Sequence, residues 1–468
     1  MKPCEKGRKP MDLFNRKDGA FVIGISSTNE EICAASGRIS TQKGTALEIF
    51  EKSHDKEKNA SLIGKVTASG HTSTLEHCYF NLAFSNVSVV VEQFMIEFRL
   101  ASFTVKSRRY VDFYDAGFYV PEFKSEENKA KYTAHITSLF ETYKKMTDAG
   151  IPKEDARFVL PYCFYSNFFC SLGGREMLHV LHAMLHGRGS KIPEIYALGK
   201  QLFEQVNKIA PGVLTGFEER KPKKSDTLDL SFIDADRKAS PDELVEYIGG
   251  SKDAAKTVAT AAMLEANVYS AETVKKSVED SESRAKIIKA VTECSRSRAL
   301  ESVQFTFALN KVSLSTLTHF ARHRIHSIQI PSLNTVDRND WVKPESIASD
   351  KDMFGAYNAC FENSVKLYEE LKAAGEAEAL PYLILSGNTL SIVSTMNGRE
   401  LMLFMKLRSC TRAQWEIQIY ANKMLEILRS EEPELFRYYG PSCYVQGYCP
   451  EGRLTCGRAA EMKEKYSV

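Results

Sequence analysis

The feature that most constrains this chain of 468 residues is an internal repeat. The segment Phe98–Ser102 matches His323–Ser327, and Gly174–Leu178 matches Gly398–Met402 at nearly the same offset. The order and spacing of these matches persist along each half of the chain, as in a duplicated folding unit. We therefore expect two diverged copies of one domain, a first repeat and a second repeat.

The length of the chain agrees with this division, because a single hydrophobic core seldom serves more than about 250–300 residues. A polar stretch that contains Pro, Ser and Lys, residues 221–242, has little hydrophobic periodicity and is typical of a linker. We place the boundary near Pro241, which gives a first domain over residues 1–240 and a second domain over residues 241–468.

Within each repeat, strands are predicted before helices. Cys78–Val91 and Val303–Leu314 are rich in Val, Phe and Ser at near-alternating spacing, which is typical of strands. Glu400–Arg408 and Ala413–Leu428 carry apolar residues at helical spacing and contain no Pro or Gly. The fold class is therefore predicted to be α+β in both repeats.

Charge and cysteine content exclude several classes of protein. Lys and Arg number 62 against 60 Asp and Glu, so the formal charge of +2 gives no global field to attract nucleic acid or a membrane surface. No run of about 18 apolar residues is present to cross a bilayer. Eleven Cys, together with a charged and polar amino-terminal segment, predict reduced thiols and a cytoplasmic location.

A basic segment, Arg322, His323 and Arg324, indicates a local anion site, because neighbouring cations repel one another unless an anion lies among them. Taken alone, such a charge run is most simply a solvated surface. Together with Ser327 and Ser332, however, it forms the pattern Arg-His-Arg-x-x-Ser-x-x-x-x-Ser. This pattern resembles the signature of flavin-dependent thymidylate synthases of the ThyX type. The resemblance implies a tandem duplication of a domain of this family.

The first repeat retains parts of the family pattern that the second repeat lacks. Ser107, Arg109 and Tyr110 resemble the Ser and Arg-Tyr positions that follow Arg-His-Arg in the family. The segment Gly70–His77 resembles the family's Gly-His-x-Ser/Thr-x-x-Glu-His element, and Ala156–Pro161 resembles its Ala-Arg-x-x-Leu-Pro element. The nucleotide-binding elements are therefore expected in the first repeat.

The second repeat retains the remaining parts. Asn397–Leu401 and Arg408 follow the family pattern, whereas Glu97 and Met184 take the places of two of its arginines in the first repeat. Conversely, Asn334 stands in the second repeat where the family has an arginine. The losses in the two repeats are thus complementary.

This complementarity implies one composite active site per chain, because the family assembles its sites between subunits. One half of such a site corresponds to Arg322 and Arg408, both in the second repeat. The other half corresponds to Ser107, Arg109 and Arg157, all in the first repeat. The four-subunit assembly of the family further implies that this duplicated chain forms a homodimer.

The resemblance also implies the fold and the reaction. Each of two α/β domains in tandem would contain a mixed or antiparallel sheet with a helical bundle. The reaction would convert dUMP, or a related pyrimidine nucleotide, to dTMP with FAD as cofactor and with NADPH and methylenetetrahydrofolate as co-substrates. Arg408 would be catalytic, because it would stabilise negative charge that develops on the pyrimidine. The residues implied in substrate binding are Ser107, Arg108, Arg109, Arg157, His319, Arg322 and Arg408. Those implied in FAD binding are His71, Ser73, Arg322, His323, Arg324, Asn397 and Arg399.

Departures from the family pattern leave an alternative open. His319 and Phe320 replace the Gln-Trp pair that precedes Arg-His-Arg in the family, and Leu403 replaces an Asn. A protein that binds flavin and nucleotide but has an altered substrate, or has lost catalysis, is therefore the alternative.

A second alternative is a metal-dependent hydrolase. His179, His182 and His186 share one face of a predicted helix, and imidazole is a common zinc ligand. No obvious carboxylate or Cys completes this ligand set, and the Cys-bearing tail over residues 443–456 has neither zinc-ribbon nor ferredoxin spacing. We therefore predict no metal site.

Overall fold

The structure, a computed structural model, describes residues 18–230, 232–233, 243–267 and 269–467. The predicted boundary at Pro241 and part of the polar stretch around it lie outside the described residues.

Each repeat contributes an antiparallel sheet. The strands of the first repeat are β1 (Gly19–Ile25), β2 (Tyr79–Ser88), β3 (Ser102–Val105) and β4 (Tyr165–Gly173). The strands of the second repeat are β5 (Val245–Gly250), β6 (Gln304–Ser313), β7 (His326–Gln329), β8 (Asp337–Trp341) and β9 (Asn388–Asn397). The first sheet has the order β1-β2-β4-β3, and the second has the order β5-β6-β9-β7, with β8 also paired to β9.

Helices cover most of the remaining chain. The first repeat contains α1 (Asn29–Ile39), α2 (Ala46–Glu51), α3 (Lys56–Ala68), α4 (Val89–Ile96), α5 (Glu126–Asp148), α6 (Lys153–Ala156), α7 (Gly174–Leu185) and α8 (Pro193–Ile209). The second repeat contains α9 (Ala254–Ala266), α10 (Ala271–Glu279), α11 (Ser281–Glu293), α12 (Leu314–Ala321), α13 (Glu345–Ala348), α14 (Lys351–Ala373), α15 (Gly398–Arg408), α16 (Trp415–Glu431), α17 (Pro433–Phe436), α18 (Ser442–Val445) and α19 (Ala459–Tyr466). The predicted α+β class is confirmed, and α15 and α16 confirm the two predicted helices. Along the described residues, no helix is both long and apolar enough to cross a membrane.

The predicted strand Cys78–Val91 is partly wrong, because it ends at Ser88 and α4 begins at once. The Ser88 hydroxyl accepts a hydrogen bond from the Val91 amide, which caps the new helix. Ser313 caps α12 in the same way, so the predicted strand Val303–Leu314 also ends one residue early. In both repeats, a serine cap starts a helix inside a run whose Val and Phe residues favoured a strand.

Matched irregularities in the backbone reproduce the repeat. The pairing of β1 with β2 shifts between residues 22 and 24, and the pairing of β5 with β6 shifts between residues 247 and 249. Asn86 and Lys311 lie at the bulges in β2 and β6, where both adopt a left-handed backbone with φ of 48° and 56°. Non-glycine residues seldom take this conformation, so its recurrence at equivalent positions of the two repeats reflects a shared fold.

The glycine of the repeated Gly-Arg-Glu motif is required by a close backbone approach. A Cβ on Gly174 would lie 2.8 Å from the carbonyl oxygen of Leu75, and one on Gly398 would lie 2.7 Å from that of Leu300. No side chain fits at such distances. Gly174 and Gly398 therefore allow α7 and α15 to begin directly against the preceding short 3₁₀ helices, Thr72–His77 and Arg298–Ser302.

In each repeat, a buried glutamate at the start of one helix is bonded to the serine that caps another helix. In the first repeat, Glu194 at the start of α8 accepts hydrogen bonds from the Ser88 amide at 2.8 Å and from the Ser88 hydroxyl at 2.6 Å. Burial raises the pKa of the Glu194 carboxyl. In the second repeat, Glu416 at the start of α16 accepts from the Ser313 amide at 2.8 Å. The same contact thus joins α8 to α4 and α16 to α12.

The chain forms two compact units whose limits differ from those of the repeats. Unit 1 comprises Met1–Asp236 and Pro344–Leu385, and unit 2 comprises Arg237–Lys343 and Ser386–Val468. Unit 1 contains the first sheet together with α13 and α14 of the second repeat, and unit 2 contains the second sheet. Within unit 1, α14 packs against α5, its counterpart in the first repeat. The domain limits 1–240 and 241–468 describe the repeats and stay a prediction.

Candidate active site

In unit 1, two of the predicted phosphate-binding residues meet at Glu154. The Nε atom of Arg109 donates to Oε2 of Glu154 at 2.7 Å, and the Nε atom of Arg157 donates to the backbone carbonyl of Glu154 at 3.0 Å. Ser107 lies beside them, because its hydroxyl accepts a hydrogen bond from the Arg109 amide at 3.3 Å. The structure therefore brings Ser107, Arg109 and Arg157 together around one acidic residue.

The elements that place these residues are short and close in sequence. Arg157 is the carboxyl-terminal cap of α6 and is buried, and Glu154 lies within α6. Sequence reasoning missed Glu154, although residues three positions apart in a helical turn lie on the same side of it.

Arg108, also predicted to bind substrate, is buried in a different environment. Its guanidinium forms an ion pair with Glu92 of α4 and lies 5.2 Å from the centre of the Phe164 ring. The Ser166 hydroxyl donates to the same carboxylate. Removal of one partner of such a buried Arg–Glu pair strongly destabilises the folded protein. The predicted contact of Arg108 with substrate stays a prediction.

The first-repeat counterpart of Arg322 is an acidic residue, Glu97. Glu97 forms an ion pair with Arg188, whose guanidinium lies 5.0 Å from the centre of the Phe94 ring. Met184, the counterpart of Arg408, is completely buried in α7. Where the second repeat has Arg322 and Arg408, the first repeat therefore has a carboxylate paired with Arg188 and a buried apolar side chain.

In unit 2, the Arg-His-Arg segment follows α12 directly. Arg322 caps the carboxyl end of α12 and is exposed, as is Arg324, whereas His323 between them is buried. The three side chains therefore do not share one environment, since the histidine is enclosed and the two arginines reach solvent. The prediction that the segment lies at a loop or helix end is confirmed.

His323 connects the segment to α15. Its Nδ1 atom lies 2.8 Å from Oε1 of Glu400, and its Nε2 atom accepts a hydrogen bond of 3.1 Å from Nε of Arg408. The structure thus brings His323 and Arg408 together, and it adds Glu400, which sequence reasoning missed. The recurrence of Gly-Arg-Glu in both repeats was the signal that could have identified it.

Other residues of the second repeat that were predicted to bind FAD or substrate make contacts within the protein itself. The Asn397 side chain caps α15 by accepting from the Glu400 amide at 2.8 Å. Arg399 forms an ion pair of 2.6 Å with Glu301, and Arg175 pairs with Glu76 at the matching positions of the first repeat. His319 is buried within α12.

The remaining predicted flavin residues, His71 and Ser73, lie in unit 1. Both are exposed, and they lie at the start of the 3₁₀ helix Thr72–His77, where the His71 carbonyl accepts from the Thr74 hydroxyl at 3.2 Å. Exposed imidazole and hydroxyl groups are available to a ligand at the surface of this unit.

The three histidines of the hydrolase alternative have separate partners. His182 stacks on Phe217 with ring centroids 4.0 Å apart, His179 pairs with Glu176 at 3.1 Å, and His186 pairs with Glu218 at 3.3 Å. Burial lowers the pKa of His182 to about 4. Within the part of the chain that the structure describes, no three His, Cys, Asp or Glu residues are grouped so as to hold a metal ion. The geometry thus gives the hydrolase alternative no support.

Comparison with known proteins identifies two matching regions. The family model described as thymidylate synthase complementing protein matches residues 22–212 and again residues 243–434. A flavin-dependent thymidylate synthase of Clostridium tetani is 34% identical over 243 residues, which cover 48% of this chain and 96% of that protein. A protein of the same name from Nitratidesulfovibrio vulgaris is 36% identical over 189 residues, covering 38% of this chain and 77% of that protein.

Two solved structures are also similar to part of the chain. A flavin-dependent thymidylate synthase from Helicobacter pylori, complexed with FAD and dUMP, is 20% identical with a TM-score of 0.34, and the match covers 44% of this chain and all of that one. A UMP/dUMP methylase from Streptomyces cacaoi, bound with 5-Br dUMP, is 22% identical with a TM-score of 0.38 and coverages of 43% and 97%.

Proposed function

Because the chain belongs to the family of the thymidylate synthase complementing protein, we propose that it is a flavin-dependent thymidylate synthase that methylates dUMP to dTMP. The observation that carries this proposal is the match of the family model to both repeats. The Clostridium tetani relative, aligned over 96% of its length, supports it. In this proposal, FAD is the cofactor, methylenetetrahydrofolate is the carbon donor and NADPH is the reductant.

Arg109, Arg157 and Ser107 are proposed to bind the phosphate of dUMP. A nucleotide monophosphate carries nearly two negative charges, and the guanidinium group offers fork-like donors that keep their charge at every physiological pH. Glu154 compensates the charge of Arg109, as the contact of 2.7 Å indicates. Binding of phosphate would therefore exchange or share this partner.

Arg408 is proposed to stabilise the pyrimidine as its ring becomes negatively charged. A cation held in place before the reaction lowers the barrier because it needs no reorganisation as the charge develops. Its place at the carboxyl end of α15 and its bond to a buried histidine support such preorganisation.

The chemistry of the exposed donors fits FAD. Arg322 and Arg324 carry charge that complements a pyrophosphate, and His71 and Ser73 offer groups that bind polar atoms of a cofactor. When bound, FAD supplies the hydride chemistry that no amino-acid side chain provides. The contributions of Asn397 and Arg399 would come in addition to the cap and the ion pair described above.

We further propose one complete set of these residues per chain, since the phosphate-binding arginines are retained in the first repeat and Arg322 and Arg408 in the second. The family resemblance also leads us to propose a homodimer. The ten described cysteines are all free thiols, which supports a reducing cytoplasmic location.

The test is methylation of dUMP by the purified chain with FAD, methylenetetrahydrofolate and NADPH, alongside growth of a thymidine auxotroph. We expect a yellow protein that forms dTMP and restores growth. A protein that is colourless and cannot be loaded with flavin would refute the proposal.

A second candidate is a flavoprotein that binds nucleotide but does not methylate dUMP. It is favoured by His319, which stands in place of a family Gln and is buried in α12. Retained flavin and nucleotide binding without dTMP formation would support this candidate instead.

A further inference from the structure

In unit 2, a hydrogen-bonded series of three polar side chains links α15 to the Arg-His-Arg segment. Glu400 bonds to Nδ1 of His323, and Nε2 of His323 bonds to Arg408, the last residue of α15. The side chains of His323 and Glu400 are only 3% and 7% exposed. Phe404 lies edge-on to the imidazole, with ring centroids 5.0 Å apart, and limits its rotation.

The hydrogen bonds determine the protonation of the imidazole. A guanidinium can only donate, so Nε2 of His323 must be the acceptor in the contact with Arg408. The ring proton therefore belongs to Nδ1, which donates to the Glu400 carboxylate. This hydrogen-bonded series consists of the Glu400 carboxylate, the neutral imidazole of His323 and the guanidinium of Arg408. Each hydrogen bond fixes the direction of the next group.

The first repeat provides an internal comparison. Phe98 and Met184 occupy the positions of His323 and Arg408, but Glu176 is retained at the position of Glu400. Without a histidine at position 98, the Glu176 carboxylate accepts from the Leu100 amide at 3.3 Å. Glu176 also contacts an imidazole, that of His179 one turn further along its own helix, at 3.1 Å. The buried glutamate is therefore common to both repeats, whereas its bond to the histidine of the Arg-His-Arg segment occurs where Arg408 is present.

We propose that Glu400 and His323 are positioning residues for Arg408. This inference rests on the proposed function, in which Arg408 contacts the pyrimidine. A guanidinium is planar, so anchoring its Nε atom fixes the orientation of the whole group. Otherwise, an arginine in the last turn of a helix has a mobile side chain that loses rotamer freedom when substrate binds. The imidazole holds Arg408 in place without adding a competing positive charge.

The experiment compares Glu400→Ala with Glu176→Ala, the same substitution at the matched position of the first repeat. For Glu400→Ala we expect kcat for dTMP formation to fall about 10- to 100-fold, as for a misplaced catalytic group. KM for dUMP should change less than kcat, and rates are compared per bound flavin because His323 is among the residues implied in FAD binding. Glu400→Gln, which retains an acceptor for Nδ1, should recover much of the lost rate. Glu176→Ala should leave kcat unchanged, and thermal unfolding of both variants reports any loss of folding.

A second comparison separates positioning from general stability. In an Arg408→Lys background, Glu400→Ala should reduce kcat much less than it does in the wild-type chain, because residues that act through one another are not additive. An equal reduction in both backgrounds, or an unchanged kcat in Glu400→Ala, would overturn the inference.

A readout that needs no activity distinguishes this inference from the proposed function. Nitrogen-15 chemical shifts of the histidine rings, assigned with a His323→Gln variant, identify the tautomer of His323. We expect a neutral ring protonated at Nδ1. A ring protonated at Nε2 would overturn the positioning inference even if the wild-type chain methylates dUMP. If the wild-type chain does not methylate dUMP, the proposed function fails while the tautomer still tests the contact.

Discussion

At the scale of single residues, each of three arginines that the family pattern points to has a defined hydrogen-bond or ion-pair partner. Arg109 contacts Glu154, Arg108 contacts Glu92 and Arg408 contacts His323. Of these three partners, Glu154 is the one that a phosphate could displace. It is a carboxylate at the surface, since the side chains of Arg109 and Glu154 are 23% and 28% exposed. The pair formed by Arg108 and Glu92 is 6% and 3% exposed and is part of the core.

We predict that Arg109→Ala and Arg157→Ala each weaken dUMP binding. Loss of a hydrogen bond to a charged group costs about 1.5–3 kcal/mol, which corresponds to a rise in KM of roughly tenfold to a hundredfold. Steady-state kinetics with dUMP as the varied substrate measures this effect. The matched control is Asn334→Ala, because exposed Asn334 occupies the position of Arg109 in the second repeat. A similar rise in KM for the control would contradict the assignment.

At the scale of elements, the packing of α14 on α5 places a half-buried histidine between two helices of unit 1. Nε2 of His135 on α5 lies 2.8 Å from the Ser364 hydroxyl on α14. Burial lowers the pKa of His135 to about 4 from an ordinary value of 6.5. Helical periodicity indicates which face of α5 is apolar, but the identity of the helix that covers it depends on packing between segments that are far apart in the sequence.

We predict that acid destabilises this helix pair. Between the two pKa values of His135, the unfolded chain binds a proton that the folded chain excludes. The stability contribution of the neutral ring is therefore complete above pH 6.5 and decreases as the pH falls toward 4. His135→Gln does not titrate, so its loss of unfolding free energy between pH 7 and pH 4.5 should be smaller than that of the wild-type chain by roughly 2 kcal/mol.

Chemical denaturation at the two pH values, followed by helical circular dichroism, measures this difference. The control is His54→Gln, because the His54 side chain is 63% exposed. If both variants lost as much stability in acid as the wild-type chain, the account of His135 would be wrong.

At the scale of the whole molecule, duplication has been followed by unequal change in the two repeats. Both sheets have kept their strand order, their bulges and the glycines of the Gly-Arg-Glu motif. The arginines of the family pattern have not been kept equally, since Glu97 and Met184 stand at two of their positions in the first repeat and Asn334 at one in the second.

We predict one dUMP per chain in the flavin-loaded protein. A carboxylate at position 97 and an apolar side chain at position 184 offer no positive charge to a nucleotide, and Arg188 is already paired with Glu97. Isothermal titration calorimetry measures the stoichiometry directly. Two equivalent nucleotides per chain would show that both sets of residues bind substrate.

The sequence by itself was sufficient to predict the repeat, the α+β class, the family and the repeat in which each signature residue is retained. These features depend on residue type and on spacing along the chain, so they are visible without coordinates. The two strand boundaries were misplaced because a single serine cap redirected a run of strand-favouring residues at Ser88 and Ser313.

Only the tertiary structure determined which groups meet. The approach of Glu400 to His323 and of His323 to Arg408 joins residues 77 and 85 positions apart. Likewise, α14 packs within unit 1, although the sheet of its own repeat belongs to unit 2. Such contacts form because apolar faces and buried polar groups must find partners anywhere in the chain, and spacing in the sequence does not specify those partners. The family therefore followed from the pattern of residues, while the support for Arg408 followed from the fold.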